Sequence, residues 1–242
     1  MILKPFEIIG HNSHYEGTYS DEQKQWKKLC AVEKVRNLCS LLPAQKYEGV
    51  LEVGCGTGAV LIELAKRNIF TFHHGIDVID PNENAEDVPT NVNMSMYNGC
   101  DLPFQSKSVD VVYASHVIEH VMEPRQLLAE IARVAKSWIY IEVPCELHAR
   151  TSRKGLQSSL NIGHINCYSP ASFMILLQSA GLDVVEMEVF DHDFAVHRFF
   201  TSPAKATAKM ALRRALININ RNLATKVFTY HCGALCRAPL EI

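Results

Sequence analysis

The spacing of apolar residues changes period along the chain, and the changes predict its elements. Over 21–42 (DEQKQWKKLCAVEKVRNLCSLL) the apolar positions Trp26, Leu29, Cys30, Val32 and Leu38 recur at helical spacing. Ser20 or Asp21 can cap that helix, and Pro43 lies just past its end. The run Val50-Leu51-Glu52-Val53 then reads as a strand, followed by a glycine cluster and a helix over 59–66. A second strand within 70–79 finishes on Gly75-Ile76-Asp77-Val78, and 92–97 gives a third. The apolar runs at 109–114 and 138–143 mark a fourth and a fifth strand, with a helix between them through Leu127, Leu128, Ile131 and Val134. Residues 169–180 form a helix stopped by Gly181, 182–190 a sixth strand and 227–237 a seventh.

Strands that alternate with helical segments imply βαβ units and a parallel sheet. Right-handed crossovers then put helices on both of its faces. With no repeats, low-complexity tracts or linkers, the expected organisation is one domain over 1–242, with a helical cap at 1–45 and a basic helical insertion at 192–226 before the last strand.

Composition narrows the class. Hydrophobic residues at 48% and charged residues at 21% suit a globular protein and exclude a disordered one. A net charge of −2 argues against a nucleic-acid coat, and no nucleic-acid module is visible. No run reaches the about 18 apolar residues of a membrane span, and Pro5 interrupts the N-terminus too early for a signal-peptide core. The eight cysteines are scattered without a C-x-x-C pair, so they read as free thiols in a cytoplasmic protein rather than a zinc or redox site.

The candidate chemistry begins at Leu51-Glu52-Val53-Gly54-Cys55-Gly56-Thr57-Gly58-Ala59. The segment leaves a buried strand, turns through three glycines and enters a helix, so a ligand can approach backbone that carries no Cβ. It opens at the carboxyl end of a parallel strand, where such sheets bind ligands. Gly54, Gly56 and Ala59 also satisfy a G-x-G-x-x-A dinucleotide fingerprint, so the loop alone does not choose its cofactor. Asp77, about 20 residues further on, can accept both hydroxyls of a ribose, which again fits either a nicotinamide dinucleotide or another adenosine cofactor.

Further along, Asn98-Gly99-Cys100-Asp101-Leu102-Pro103-Phe104 and then Ser108-Val109-Asp110 through Glu119-His120-Val121 follow in order. This succession resembles class I S-adenosylmethionine (SAM)-dependent methyltransferases, which carry E-x-G-x-G-x-G, an acid ending strand two, an LPF element, S-x-D-x-V and an E-H-V turn. The likeness runs from Leu51 to Val143 and resumes from Gly163-His164-Ile165-Asn166 to Gly181-Leu182. It implies a three-layer Rossmann-like α/β sandwich whose seven-stranded, mostly parallel sheet has an antiparallel edge strand. It also implies SAM as cofactor and S-adenosylhomocysteine as product. By the same resemblance Gly54, Cys55 and Gly56 run under the methionine half, Gly58 completes the cofactor-binding loop, Glu52 lies near the amino group, and Asp77 holds the ribose. Asn98 and Gly99 sit by the adenine, where many members have an aspartate in place of Asn98; its carbonyl can still accept a hydrogen bond. Ser115 and His116 then face the sulfonium, and Tyr15 or Tyr19 could close over the cofactor.

Methyl transfer needs an aligned acceptor, and an oxygen acceptor also needs a base, usually histidine near neutral pH. His116, at a strand's carboxyl end, and His164, just before a helix, are the candidates for base or acceptor positioning. His120 is expected to cap or pack the following helix, and His148 to belong to a solvated polar loop (HARTSRK) that could grip an anionic group. His116-Val117-Ile118-Glu119-His120 resembles an E-x-x-E-H metal string of some quinone-pathway O-methyltransferases, except that His116 replaces the first glutamate; no metal is expected.

Residues 203–226 carry six basic and no acidic side chains, with Leu212, Leu216, Ile219 and Leu223 at helical spacing. That stripe is expected to pack on its own domain; alternatively it forms a lid or homodimer surface, or meets an anionic substrate or membrane. The function expected is methyl transfer to a small-molecule acceptor, on oxygen, with sugars and similar hydroxylated metabolites in mind. An NAD-dependent oxidoreductase and a non-catalytic SAM-binding protein are the alternatives.

Overall fold

The computed structural model describes residues 5–7 and 19–239; Tyr15 lies outside them. In chain order the elements are α1 (Asp21–Leu41), β1 (Tyr47–Val53), α2 (Ala59–Ala65), β2 (Phe70–Asp77), β3 (Val92–Met96), β4 (Val109–Ser115), α3 (Pro124–Val134), β5 (Ala135–Cys145), α4 (Arg153–Asn161), α5 (Pro170–Ser179), β6 (Asp183–Phe190), α6 (Phe194–Phe199), α7 (Pro203–Ile219), α8 (Arg221–Val227) and β7 (Tyr230–Arg237). Ser20, not Asp21, caps α1: its hydroxyl accepts from the Gln23 N–H while the Gln23 side chain returns to the Ser20 N–H, satisfying two otherwise unpaired donors.

The strands form one sheet in the order β3-β2-β1-β4-β5-β7-β6. All pairings are parallel except those of β7, which runs antiparallel between β5 and the edge strand β6. Alternation along the central strands feeds two cores. Val111 and Tyr113 pack with Val35, Leu38, Leu61 and Leu64 of α1 and α2. On the other face Val112 and Ala114 pack with Leu128, Ile131, Phe173 and Leu177 of α3 and α5. The result is a three-layer Rossmann-like α/β sandwich. Strand order reverses between β1 and β4, and the crevice outside their carboxyl ends is the ligand position of open parallel sheets.

Three expectations change. The polar run after β5 is not all loop, because Ser152 accepts from the Gly155 N–H at 3.1 Å and starts α4. The basic segment is two helices, broken where the Asn220 side chain caps α8 through the Leu223 N–H at 3.0 Å. Most of its apolar stripe does not pack on the domain: Leu212, Ile219 and Leu223 are exposed, and only Leu216 is half-buried. The buried anchor of α7 is instead Arg213, paired with Asp191 at 2.6 Å and lying 4.1 Å over the Tyr230 ring. An arginine can take that place because its guanidinium finds a carboxylate, a carbonyl and two aromatic faces.

Candidate active site

One cleft of about 1030 Å³ opens at the carboxyl ends of β1, β2, β4 and β5, with α1 as its far wall. Glu52, Gly54, Cys55, Gly56, Asp77, Asn98, Gly99, Ser115, His116 and His164 all line it. Gly58 does not line it. At φ 71° it opens α2, and the Cβ of any other residue would run into Met94 Sδ. Its work is the turn rather than the ligand.

The glycine loop offers close approach more than donors. Ile76 carbonyl accepts from the Gly54 and Cys55 N–H groups at 2.8 and 3.1 Å. Gly54 has φ 75°, and a Cβ there would meet Val117 at 2.5 Å. Asp77 ties the loop to β2 by accepting the Gly56 N–H at 2.7 Å on one oxygen, and the Ile79 N–H at 3.2 Å on the other. Each carboxylate oxygen retains a second acceptor direction, which leaves room for a diol. Asn98 differs from expectation. Its carbonyl already accepts from the Cys100 and Asp101 N–H groups, each at 2.9 Å, so it shapes the turn and is not free to receive an adenine amino group.

Glu52 is 3% exposed, and its Oε2 has no hydrogen-bond partner. Burial pushes its carboxyl up to about 8, against the pull of Lys34. A buried acceptor without a donor, at the rim of a glycine cradle, suits an ammonium group. Lys27 and Lys34 reach into the same cleft from α1, with Lys27 Nζ 4.3 Å from the Tyr19 ring centre and Lys34 Nζ donating to the Ser115 carbonyl at 3.3 Å. Helix spacing alone did not disclose them, because the apolar pattern of α1 marks its packed face and says nothing of what its lysines meet.

The other end of the cleft is built from histidines. His116 follows β4 directly with φ 60°, a conformation rare for a residue with a Cβ. Its Nε2 is 2.7 Å from His231 Nδ1; His231 Nε2 is 2.9 Å from His192 Nε2, and His192 Nδ1 is 2.6 Å from Glu33 Oε2. Burial opposes a charge on His116, but the carboxylates of Glu119 and Glu142 outweigh it and hold its pKa above the ordinary imidazole value. Ser115 points its hydroxyl at Glu142 Oε1 (3.1 Å) rather than into open space. His164 Nδ1 lies 2.9 Å from Glu146 Oε2, so the carboxylate claims the Nδ1 proton and leaves Nε2 as the basic nitrogen. His120 packs edge-on to His164 and its Nδ1 is 3.0 Å from the Gly163 carbonyl; burial drives its pKa down to about 4, so it stays neutral. His148 and Arg150 line a separate cavity of about 440 Å³. Two trios of donors come within metal-ligand reach among the described residues: His116, Glu142 and His231, and Glu119, His120 and His164.

Glu142, His231, His192 and Glu33 had no spacing to reveal them, because they lie far apart along the chain, on β5, on β7, just after β6 and on α1. Glu142 alone left a trace, an acid inside the apolar run Trp138-Ile139-Tyr140-Ile141-Glu142-Val143.

Comparison with known proteins decides which cofactor the cradle serves. The family described as "Methyltransferase domain" matches residues 23–187. The chain belongs to that family and carries a class I, SAM-dependent methyltransferase domain. Membership separates SAM from a nicotinamide dinucleotide, which the loop and Asp77 could not do. Among curated relatives, the O-methyltransferase rstn1 of Aspergillus nomiae is 28% identical over 127 residues, 50% of this chain and 56% of its own. The 27-O-demethylrifamycin SV methyltransferase of Amycolatopsis mediterranei is 22% identical over 73% of this chain and 68% of its own. The chain thus spans about half the length of the first of these. Among solved structures, a chain of the Haloferax volcanii complex containing the Trm112 methyltransferase activator aligns with a TM-score of 0.67 at 19% identity, over 91% of this chain and 95% of that one, a likeness of fold. No helix among the described residues is long and apolar enough to cross a membrane.

Proposed function

We infer that this protein transfers a methyl group from SAM to an oxygen of a small hydroxylated molecule, and does so in the cytoplasm. The observation carrying the inference is that one cleft joins an ammonium- and ribose-suited end to a histidine end with a free imidazole nitrogen. Glu52 would receive the cofactor's amino group, Asp77 its ribose hydroxyls, and the Gly54–Gly56 backbone would run beneath it. When bound, SAM supplies an electrophilic methyl on its sulfonium. His164, oriented by Glu146, accepts the proton of the acceptor hydroxyl at Nε2 as oxygen becomes the nucleophile. The His116 ring, fixed in direction by its left-handed backbone and by His231, walls the acceptor side of the cleft and limits how the acceptor can lie. Eight thiols without a disulfide suit a reducing compartment.

O-methyltransferases and N-methyltransferases both stand among the curated relatives, so oxygen as the acceptor atom rests on His164 as a base, and transfer to an amine is the competing outcome of the test. A labelled-methyl screen over hydroxylated metabolites and amines, run beside a SAM titration, tests the reading. Transfer to a hydroxylated compound is the expected result. SAM binding without transfer to any acceptor would favour a non-catalytic SAM-binding protein instead.

A further inference from the structure

The histidine end of the cleft has a feature that methyl transfer by His164 leaves unused. His116, Glu142 and His231 stand at the same end of three adjacent strands: His116 just after β4, Glu142 near the end of β5, and His231 near the start of antiparallel β7. The sheet therefore holds all three rigidly. His116 Nε2 is 2.7 Å from His231 Nδ1 and 3.6 Å from Glu142 Oε1, and His231 Nδ1 is 4.0 Å from the same oxygen. Ligands at about 2.0–2.2 Å from a tetrahedral ion lie about 3.3–3.6 Å apart, a range these three distances bracket. We propose that His116, Glu142 and His231 ligate a single divalent cation of the zinc class, with a fourth position open to the cleft.

The surroundings argue for an ion rather than a simple hydrogen bond. Metal-bound imidazoles place their other N–H on a carboxylate or similar acceptor. His231 Nε2 meets His192 Nε2 at 2.9 Å, and His192 Nδ1 is fixed by Glu33 at 2.6 Å; the His231 tautomer that donates from Nε2 to His192 offers its Nδ1 lone pair to the ion. His116 Nδ1 lies 3.3 Å from Glu119 Oε1, and Glu119 is fully buried with neither oxygen hydrogen-bonded. An ion on His116 Nε2 displaces the proton shared with His231, so the remaining proton sits on Nδ1, facing that unpartnered carboxylate. Glu142 is braced as a ligand should be: Oε2 accepts from Asn37 (3.0 Å) and the Tyr140 hydroxyl (2.6 Å), and Oε1 from Ser115 (3.1 Å). This ligand set differs from the E-x-x-E-H string; it shares only His116, the position at which the sequence departs from that string.

All three ligands line the cleft, so the open position faces the acceptor. There the ion would bind the acceptor's oxygen and lower its pKa, while the proton leaves to His164. This use of the ion rests on the methyl-transfer reading; the site itself does not.

The test is Co²⁺ titration of the chelator-treated full chain, followed by the visible absorption of the bound ion, with SAM affinity measured on the same samples. One Co²⁺ per chain with a four- or five-coordinate spectrum is expected. His231→Gln should weaken it by about 100-fold or more, and His192→Gln by about 10–100-fold, both with SAM affinity unchanged as evidence of folding. Absence of stoichiometric Co²⁺ would overturn the proposal, as would a spectrum that survives His231→Gln and disappears in His120→Gln, which puts the ion on the neighbouring trio. SAM binding and methyl transfer can stand in either event, so failure of the metal site is distinguishable from failure of the enzyme reading.

Discussion

With Glu52 receiving the amino group of SAM as proposed, SAM affinity should depend on pH in a direction set by the burial of Glu52. Its carboxyl is buried without a hydrogen-bond partner on Oε2 and is pushed up to about 8, so at pH 7 about nine in ten molecules hold it neutral. Receiving an ammonium group requires the charged form. Below pH 8, binding must therefore expel a proton, about 0.9 per cofactor at pH 7. Affinity should rise about ninefold from pH 6 to 7, worth about 1 kcal/mol, rise about fivefold more to pH 8, and flatten above it. Calorimetry in buffers of different ionisation enthalpy counts the proton directly. Glu52→Gln should match the wild type within about threefold at pH 6, fall behind above pH 7 and release no proton, any residual slope being the cofactor's own titration. The same shift governs the cofactor-free protein. Folded Glu52 holds its proton more tightly than the unfolded chain does, so its contribution to stability is complete below the ordinary carboxyl value and is lost as pH rises through about 8. Wild-type binding that is flat from pH 6 to 8, with no buffer-dependent enthalpy, would refute the assignment of Glu52 to the amino group.

Other outcomes follow from the same geometry. Asp77→Ala removes both the proposed ribose acceptor and the brace on the Gly56 N–H, and should lower SAM affinity by about 100-fold in calorimetry; unchanged binding would remove the ribose assignment. His164→Gln should reduce kcat by about 10²–10⁴-fold while leaving the SAM dissociation constant within about twofold, whereas a matching loss of SAM affinity would show a structural role. Gly58→Ala places a Cβ at φ 71° against Met94 and should destabilise the fold by about 1–3 kcal/mol, read as a drop in Tm; an unaltered melt would mean the turn has another conformation.

The alternation of short apolar strands with amphipathic helices was enough to define a parallel α/β sheet, because a period of two and a period of 3.6 bury different faces and leave their marks in every segment. The order of motifs from Glu52 to Val121 likewise pointed to the candidate cofactor end of the cleft, since a tight turn at a strand's end needs glycine locally and a ribose site an acid one strand away. Tertiary structure alone decided the rest. It turned the stripe of Leu212, Ile219 and Leu223 outward, because Arg213 found a buried carboxylate and aromatic faces that no helical pattern announces. It engaged the Asn98 carbonyl in its own turn, and it brought Glu33, Glu142, His192 and His231 around His116. Those residues come from α1, β5, the segment after β6, and β7, and they meet because the antiparallel return of β7 lays its start beside the end of β5. Local spacing records what a residue's neighbours in the chain require; it carries no record of partners that only the closed sheet delivers.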